Sequence, residues 1–188
     1  MPDHRRATAE RNAEAILDAT EALLARGAPA STSAVAAEAG VSRVTVYAHF
    51  PTREALLEAV AERVVKRAVA AIDAANINDG PPLEALERLI AAAWGEIERN
   101  RAVATAASEQ LSPAALNRSH AALHEPIGAL IRRGQQEGAF RTDLPAGWLV
   151  ASYFSLMHAC GDEVRNGRIG ADEAVPILQA TLRSVFTG

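Results

Sequence analysis

Ser42-Arg43-Val44-Thr45-Val46-Tyr47-Ala48-His49-Phe50 is the stretch on which the reading of this chain turns. Ser42 suits a helix N-cap, because its hydroxyl can accept from the free amides of a first turn, so a short helix starts there. Val46 and Phe50 lie one turn apart on one side and, with Val41, bury inward. Arg43, Val44, Tyr47 and Ala48 form a second stripe that faces outward. A valine and a tyrosine on an outer stripe mark a helix that needs a partner outside its own chain. Upstream, Ser31 caps another short helix running to Glu38, and Ala39-Gly40-Val41 supplies a turn whose glycine can take the left-handed conformation that ends a helix. Helix, short turn and helix make a helix-turn-helix unit, which lays its second helix in the DNA major groove.

Outward from this unit the chain reads as helices throughout. Ile16, Leu17, Thr20, Leu23 and Leu24 repeat at helical spacing in a first helix from about Thr8 to Arg26, closed by Gly27. Nothing apolar anchors residues 1–9, which read as a disordered basic arm whose Arg5 and Arg6 could reach a minor groove or phosphates. Beyond Phe50, Pro51-Thr52-Arg53-Glu54 starts a long connecting helix that ends near Ala75, where Asn76 to Pro82 breaks it. Further helices are expected at Leu83–Glu98, Arg101–Glu109, Pro113–Glu137, Trp148–Arg165 and Asp172–Phe186. Pro126 should kink or break the long one, since proline removes a hydrogen bond and clashes with the preceding turn. No strand pattern and no internal repeat is present.

The run Ala36-Ala37-Glu38-Ala39-Gly40-Val41-Ser42-Arg43-Val44-Thr45-Val46-Tyr47-Ala48-His49-Phe50-Pro51-Thr52-Arg53-Glu54-Ala55-Leu56-Leu57 resembles the DNA-binding signature of the TetR family of bacterial transcriptional regulators. The resemblance covers about residues 10–60. It departs at Ala28, where the family often has an aromatic residue, and at Val44, where it often has a small one. It implies an all-α chain with a helix-turn-helix DNA-binding domain over residues 1–51 and a ligand-binding and dimerisation domain over residues 52–188. Tyr47 and His49 can each donate a hydrogen bond from a rigid ring to the phosphate backbone, and the resemblance implies the same role. It also places Arg53 at a phosphate-contacting position. Arg43, Val44, Thr45 and Ala48 are left as candidates for base edges.

Composition is consistent with this assignment. A chain of 188 residues with 49% hydrophobic residues can bury a sizeable core, and its one cysteine, Cys160, permits no intramolecular disulfide. The first residues lead into a polar helix instead of an apolar signal core, so a cytoplasmic protein is expected. Net charge is −4, but residues 1–67 hold nine basic and nine acidic groups, so the whole acidic excess falls in the second part.

No catalytic or cofactor signature appears: there is no nucleophile–base pair, no phosphate loop and no metal cluster. His120 and His124 have a spacing that could chelate a metal, yet no second pair supports them. Cys160 reads as a buried structural cysteine. Trp94, Trp148, Tyr153 and Met157 could line an apolar ligand site, with Gln110, His120 or His124 as polar anchors, because the resemblance implies a cavity among the later helices. In the last helix Val175, Leu178, Leu182 and Val185 make one stripe, expected to be bare in a lone chain and covered in a homodimer. The function these features imply is a repressor released from operator DNA by a small, mainly apolar molecule. The alternative is a helical protein-interaction adaptor or a regulator without a small-molecule ligand.

Overall fold

The computed structural model describes residues 2–188, the side chains of residues 2–5, 108, 117 and 119 excepted. Nine helices and no strand make up the described residues: α1 (Pro2–Ala25), α2 (Thr32–Ala39), α3 (Arg43–His49), α4 (Arg53–Ala74), α5 (Pro82–Arg99), α6 (Arg101–Gln110), α7 (Pro113–Gln136), α8 (Ala146–Arg165) and α9 (Ala174–Thr187). Two compact units result. The first takes in residues up to Val65 and Asn100–His120; the second takes in Lys66–Arg99 and Ala121–Gly188. Packing therefore gathers α6 and the first turns of α4 around the helix-turn-helix, a larger set than residues 1–51.

In the first unit, the inner stripes of α1, α2 and α3 meet as their spacing requires. Ile16, Leu17 and Leu23 pack with Val35, Ala36, Val46, Leu56, Val60 and Val103, and Val41 and Phe50 close the edge. A second apolar set joins α4 to α6 and the start of α7 through Leu57, Ala61, Ala106, Ala107, Leu111 and Ala115. Ala28 packs against the α1 core, so the missing aromatic ring leaves a smaller contact in its place. One polar clamp crosses this unit. Arg63 of α4, its side chain 17% exposed, reaches Glu14 (3.1 Å), Asp18 (2.8 Å) and Glu21 (2.9 Å) on successive turns of α1.

The second unit is built on α5, α7, α8 and α9. Leu86, Leu89, Ile90, Ile127, Leu130, Ile131, Leu149 and Phe186 are all buried. Phe140 lies over Gly134, where an added Cβ would fall 2.1 Å from the ring, and meets Phe186 edge-on at 5.4 Å. Two arginines pin the turn after α4 through backbone carbonyls: Arg88 donates to Ala75, Asn76 and Asp79, and Arg133 to Ile77 and Gly80.

Three expectations change here. Helix α1 begins at Pro2 in place of a disordered arm. Proline is tolerated in a first turn, and Arg6 pairs with Glu10 (3.1 Å) while Arg11 donates to Thr8 (2.9 Å), so local bonds supply the missing anchor. The side chain of Arg5 lies outside the described residues. Helix α7 runs unbroken through Pro126. Proline in a helix costs about 3 kcal/mol, while burying Leu123, Ile127, Leu130 and Ile131 gains about 1.5–3 kcal/mol for each side chain, so packing outweighs the break. Finally, Leu178 and Leu182 are 2% and 0% exposed in the single chain, and Val175 and Val185 are half-buried. Half of the stripe expected to be bare, Leu178 and Leu182, is already covered. The α9 face turned inward is Ala174, Leu178, Leu182 and Phe186, because only that register sends Phe186 against Phe140.

Candidate nucleic-acid interface and effector unit

Local capping fixes the geometry of α2 and α3. The Ser31 hydroxyl accepts from the Ala34 amide at 3.2 Å, and Gly40, at φ 66°, ends α2 with its amide turned back to the Ala36 and Ala37 carbonyls. The Ser42 hydroxyl accepts from the Thr45 amide at 3.0 Å and lies 2.8 Å from the Thr45 hydroxyl. With both ends set, Val46 is 1% exposed while Val44, two residues earlier, is 78% exposed. Tyr47 is 48% exposed, Arg43 and Ala48 are exposed, and Thr45 and His49 are half-buried. The Thr45 hydroxyl is thus engaged in the cap, which leaves its methyl group to meet a partner. At the start of α4 the Thr52 hydroxyl accepts from the Ala55 amide at 3.0 Å, and Arg53 stands exposed in the first turn.

Sequence reasoning missed a partner of Tyr47. Side-chain hydrogen bonds from Thr32 and then Arg43 hold its hydroxyl and lower its pKa below the usual phenol value. Arg43 could have been found from the i, i+4 spacing; Thr32, on the other helix, could not. Of the arginines expected to reach phosphates, Arg6 is paired with Glu10; elsewhere in the first unit Arg26 is committed to Glu38 (2.9 Å) and Arg63 to its three partners on α1.

The expected ligand-site residues are divided between the two units. Gln110 and His120 belong to the first unit, Gln110 exposed and His120 with its Nδ1 2.7 Å from the Leu116 carbonyl. Trp94, Tyr153 and Met157 are buried in the second unit, where His124 stacks on Phe154 with ring centroids 4.8 Å apart. Trp148 is 61% exposed and borders an open groove of about 330 Å³ with Ala151, Ser152, Ser155, Leu156 and Val185. It therefore sits on the outer face of α8 and α9, away from the core. Among the described residues no group of His, Cys, Asp and Glu has the placement of a metal site. Burial first, then Glu163 and Glu98, pushes the Cys160 thiol up, the wrong direction for a nucleophile. No helix among the described residues is long and apolar enough to cross a membrane.

Residues 16–60 match the family described as bacterial regulatory proteins, tetR family. The transcriptional repressor LfrR of Mycolicibacterium smegmatis is 31% identical over 160 residues, which cover 84% of this chain and 82% of that protein. The transcriptional regulator NfxB of Pseudomonas aeruginosa is 27% identical over 155 residues, covering 80% and 81%. The crystal structure of LfrR from Mycobacterium smegmatis in complex with proflavine superposes with a TM-score of 0.67 at 30% identity, covering 93% of this chain and 96% of that one. Taken with the capped α2–α3 pair and its outward stripe, these likenesses establish that the chain belongs to the TetR family of bacterial regulatory proteins and is a helix-turn-helix transcription regulator, not an enzyme.

Proposed function

We propose that this regulator is a cytoplasmic repressor that holds operator DNA as a homodimer and releases it when a small, mainly apolar molecule enters the second unit. The observation that carries the DNA side is the exposure of Val44 and Tyr47 on a short helix whose opposite side is buried. Arg43, Val44, Thr45 and Ala48 meet base edges, while Tyr47, His49 and Arg53 contact phosphates and fix the register. The outer face of α8 and α9, with Trp148 exposed above its groove, supplies the dimer contact in place of the buried Leu178 and Leu182. A second copy of the chain is the fitting occupant, because a two-fold dimer presents two reading helices to half-sites about 34–36 Å apart.

For the effector side, the support is an apolar interior that includes Trp94, Tyr153 and Met157, and a relative crystallised with proflavine. A ligand shifts the DNA-bound population only by preferring a state in which the reading helices no longer match successive grooves. Helix α4 is the element suited to relay this, since its residues are shared between the two units. The test is selection of genomic fragments by the purified protein. Enriched fragments should share a two-fold symmetric site with half-sites about one helical turn apart; retention with no common sequence would favour the adaptor reading.

A further inference from the structure

Among the described residues, two buried side-chain polar atoms lack a hydrogen-bond partner: the indole Nε1 of Trp94 and the hydroxyl oxygen of Tyr153. Their residues are 3% and 2% exposed, on α5 and α8 of the second unit. Elsewhere burial and satisfaction go together. The buried Thr20 hydroxyl donates to the Ile16 carbonyl at 2.8 Å, and the buried Glu96 is paired with Arg99. Most buried polar groups in folded proteins are bonded, so two exceptions in one unit call for a reason.

Tyr153 gives the clearer one. Burial alone pushes its phenol far above the ordinary value, with no hydrogen bond and no charge acting on it. The hydroxyl therefore stays protonated, as a donor in apolar surroundings. A buried water needs two to four polar partners, and no polar group is bonded to this hydroxyl. The indole N–H of Trp94 is a donor only. Both groups thus lack the same thing, an acceptor.

What surrounds Tyr153 suits an apolar body. Its ring meets Phe154 edge-on at 5.5 Å, and Met157, one turn further along α8, is buried on the same inward side. An anion buried there would have no counter-charge from Tyr153 or its surroundings, at a high desolvation cost. A cation bearing only N–H donors would leave both protons unanswered.

We infer that the effector is a neutral, mainly apolar molecule carrying hydrogen-bond acceptors such as a carbonyl, with the Tyr153 hydroxyl as first anchor and the Trp94 indole as second. This rests on the effector-released reading above and narrows it.

The experiment uses the full chain and pairs of probes that differ only in C=O against C=CH2: acetophenone with α-methylstyrene, and benzophenone with 1,1-diphenylethylene. Equilibrium dialysis should give the carbonyl twin about fivefold tighter binding or more, the scale of one net hydrogen bond. That preference should vanish in Tyr153→Phe and shrink in Trp94→Phe. Empty Tyr153→Phe should melt at or above the wild-type temperature, because the deleted hydroxyl had no protein partner; a lower melting point would overturn the inference. So would the lack of a carbonyl preference at every probe size, including the case in which neither twin binds. Operator retention, measured alongside, separates the two readings. Twins that bind equally and both release operator would sink the acceptor inference and leave effector release standing, whereas a Tyr153-dependent preference with unchanged operator affinity would support the anchors and remove the release mechanism.

Discussion

The four large apolar side chains left exposed among the described residues stand on α3 and on α8 and α9, and the two settings differ in kind. Val44 and Tyr47 stand on α3, a helix of seven residues, with Arg43 and His49 beside them and Arg53 opening the next helix. Trp148 and Ile177, 61% and 40% exposed, stand on α8 and α9; α8 has no Asp, Glu, Lys or Arg from Ala146 to Gly161, and Arg183 of α9 is paired with Glu87. An apolar stripe edged by cations and ring donors suits a partner that carries both phosphates and thymine methyl groups. A charge-free stretch of α8 with a groove beside a bare tryptophan suits another protein surface. On the proposed function the exposed apolar groups mark where partners dock, and the polar groups around them set the partner's chemistry.

The sharpest way to break this comparison is to put a charge first inside α9 and then outside α8. Leu182→Glu should cost the folded chain about 4 kcal/mol or more, since it buries a carboxylate without a partner, and thermal melting would reveal it. If the variant melts like the wild type, Leu182 does not face the core. Trp148→Glu should leave the melting of the chain's own core largely intact while weakening the proposed dimer about 30-fold or more, the scale of a lost interface anchor of about 2 kcal/mol. Sedimentation at micromolar concentration checks it, and an unchanged mass in the variant would move the dimer contact elsewhere.

Smaller effects belong to the α3 face and its support. Tyr47→Phe should weaken operator binding by about 1 kcal/mol or more, the worth of a hydrogen bond to a charged group, and a filter-binding titration suffices to measure it. Equal affinities would confine the hydroxyl to its bonds with Thr32 and Arg43. Arg63→Met should destabilise the first unit by about 1 kcal/mol, because Glu14 and Asp18 are mostly exposed and solvent screens them. In urea melts the loss should shrink as salt rises; a loss independent of salt would make Arg63 a packing residue.

How much was legible in the sequence differs along the same line. The caps at Ser31, Ser42 and Thr52 and the left-handed Gly40 act within a few residues of themselves, so the α2–α3 pair could be placed from spacing alone. The TetR-family assignment followed from the same stretch and stands. In α9, by contrast, Val175, Ile177, Leu178, Leu182, Val185 and Phe186 leave two apolar stripes that share Leu178 and Leu182 and differ by a fraction of a turn. Periodicity cannot choose between them. At the start of α1 the lack of an apolar anchor, and at Pro126 propensity, spoke against helix; side-chain pairs answer the first and burial on both sides of the proline the second.

By itself, then, the sequence determined the helical class, the helix-turn-helix and the stripe that α3 turns outward, because helical period and capping are properties of neighbours in the chain. Only the tertiary structure decided that α6 joins the first unit, that Leu178 and Leu182 lie inside while Trp148 lies outside, that Arg63 gathers three carboxylates of α1, and that Trp94 and Tyr153 keep unanswered donors in the second unit. Each of these depends on which side chains from distant helices compete for the same space, and that competition leaves no mark on the spacing of either helix alone.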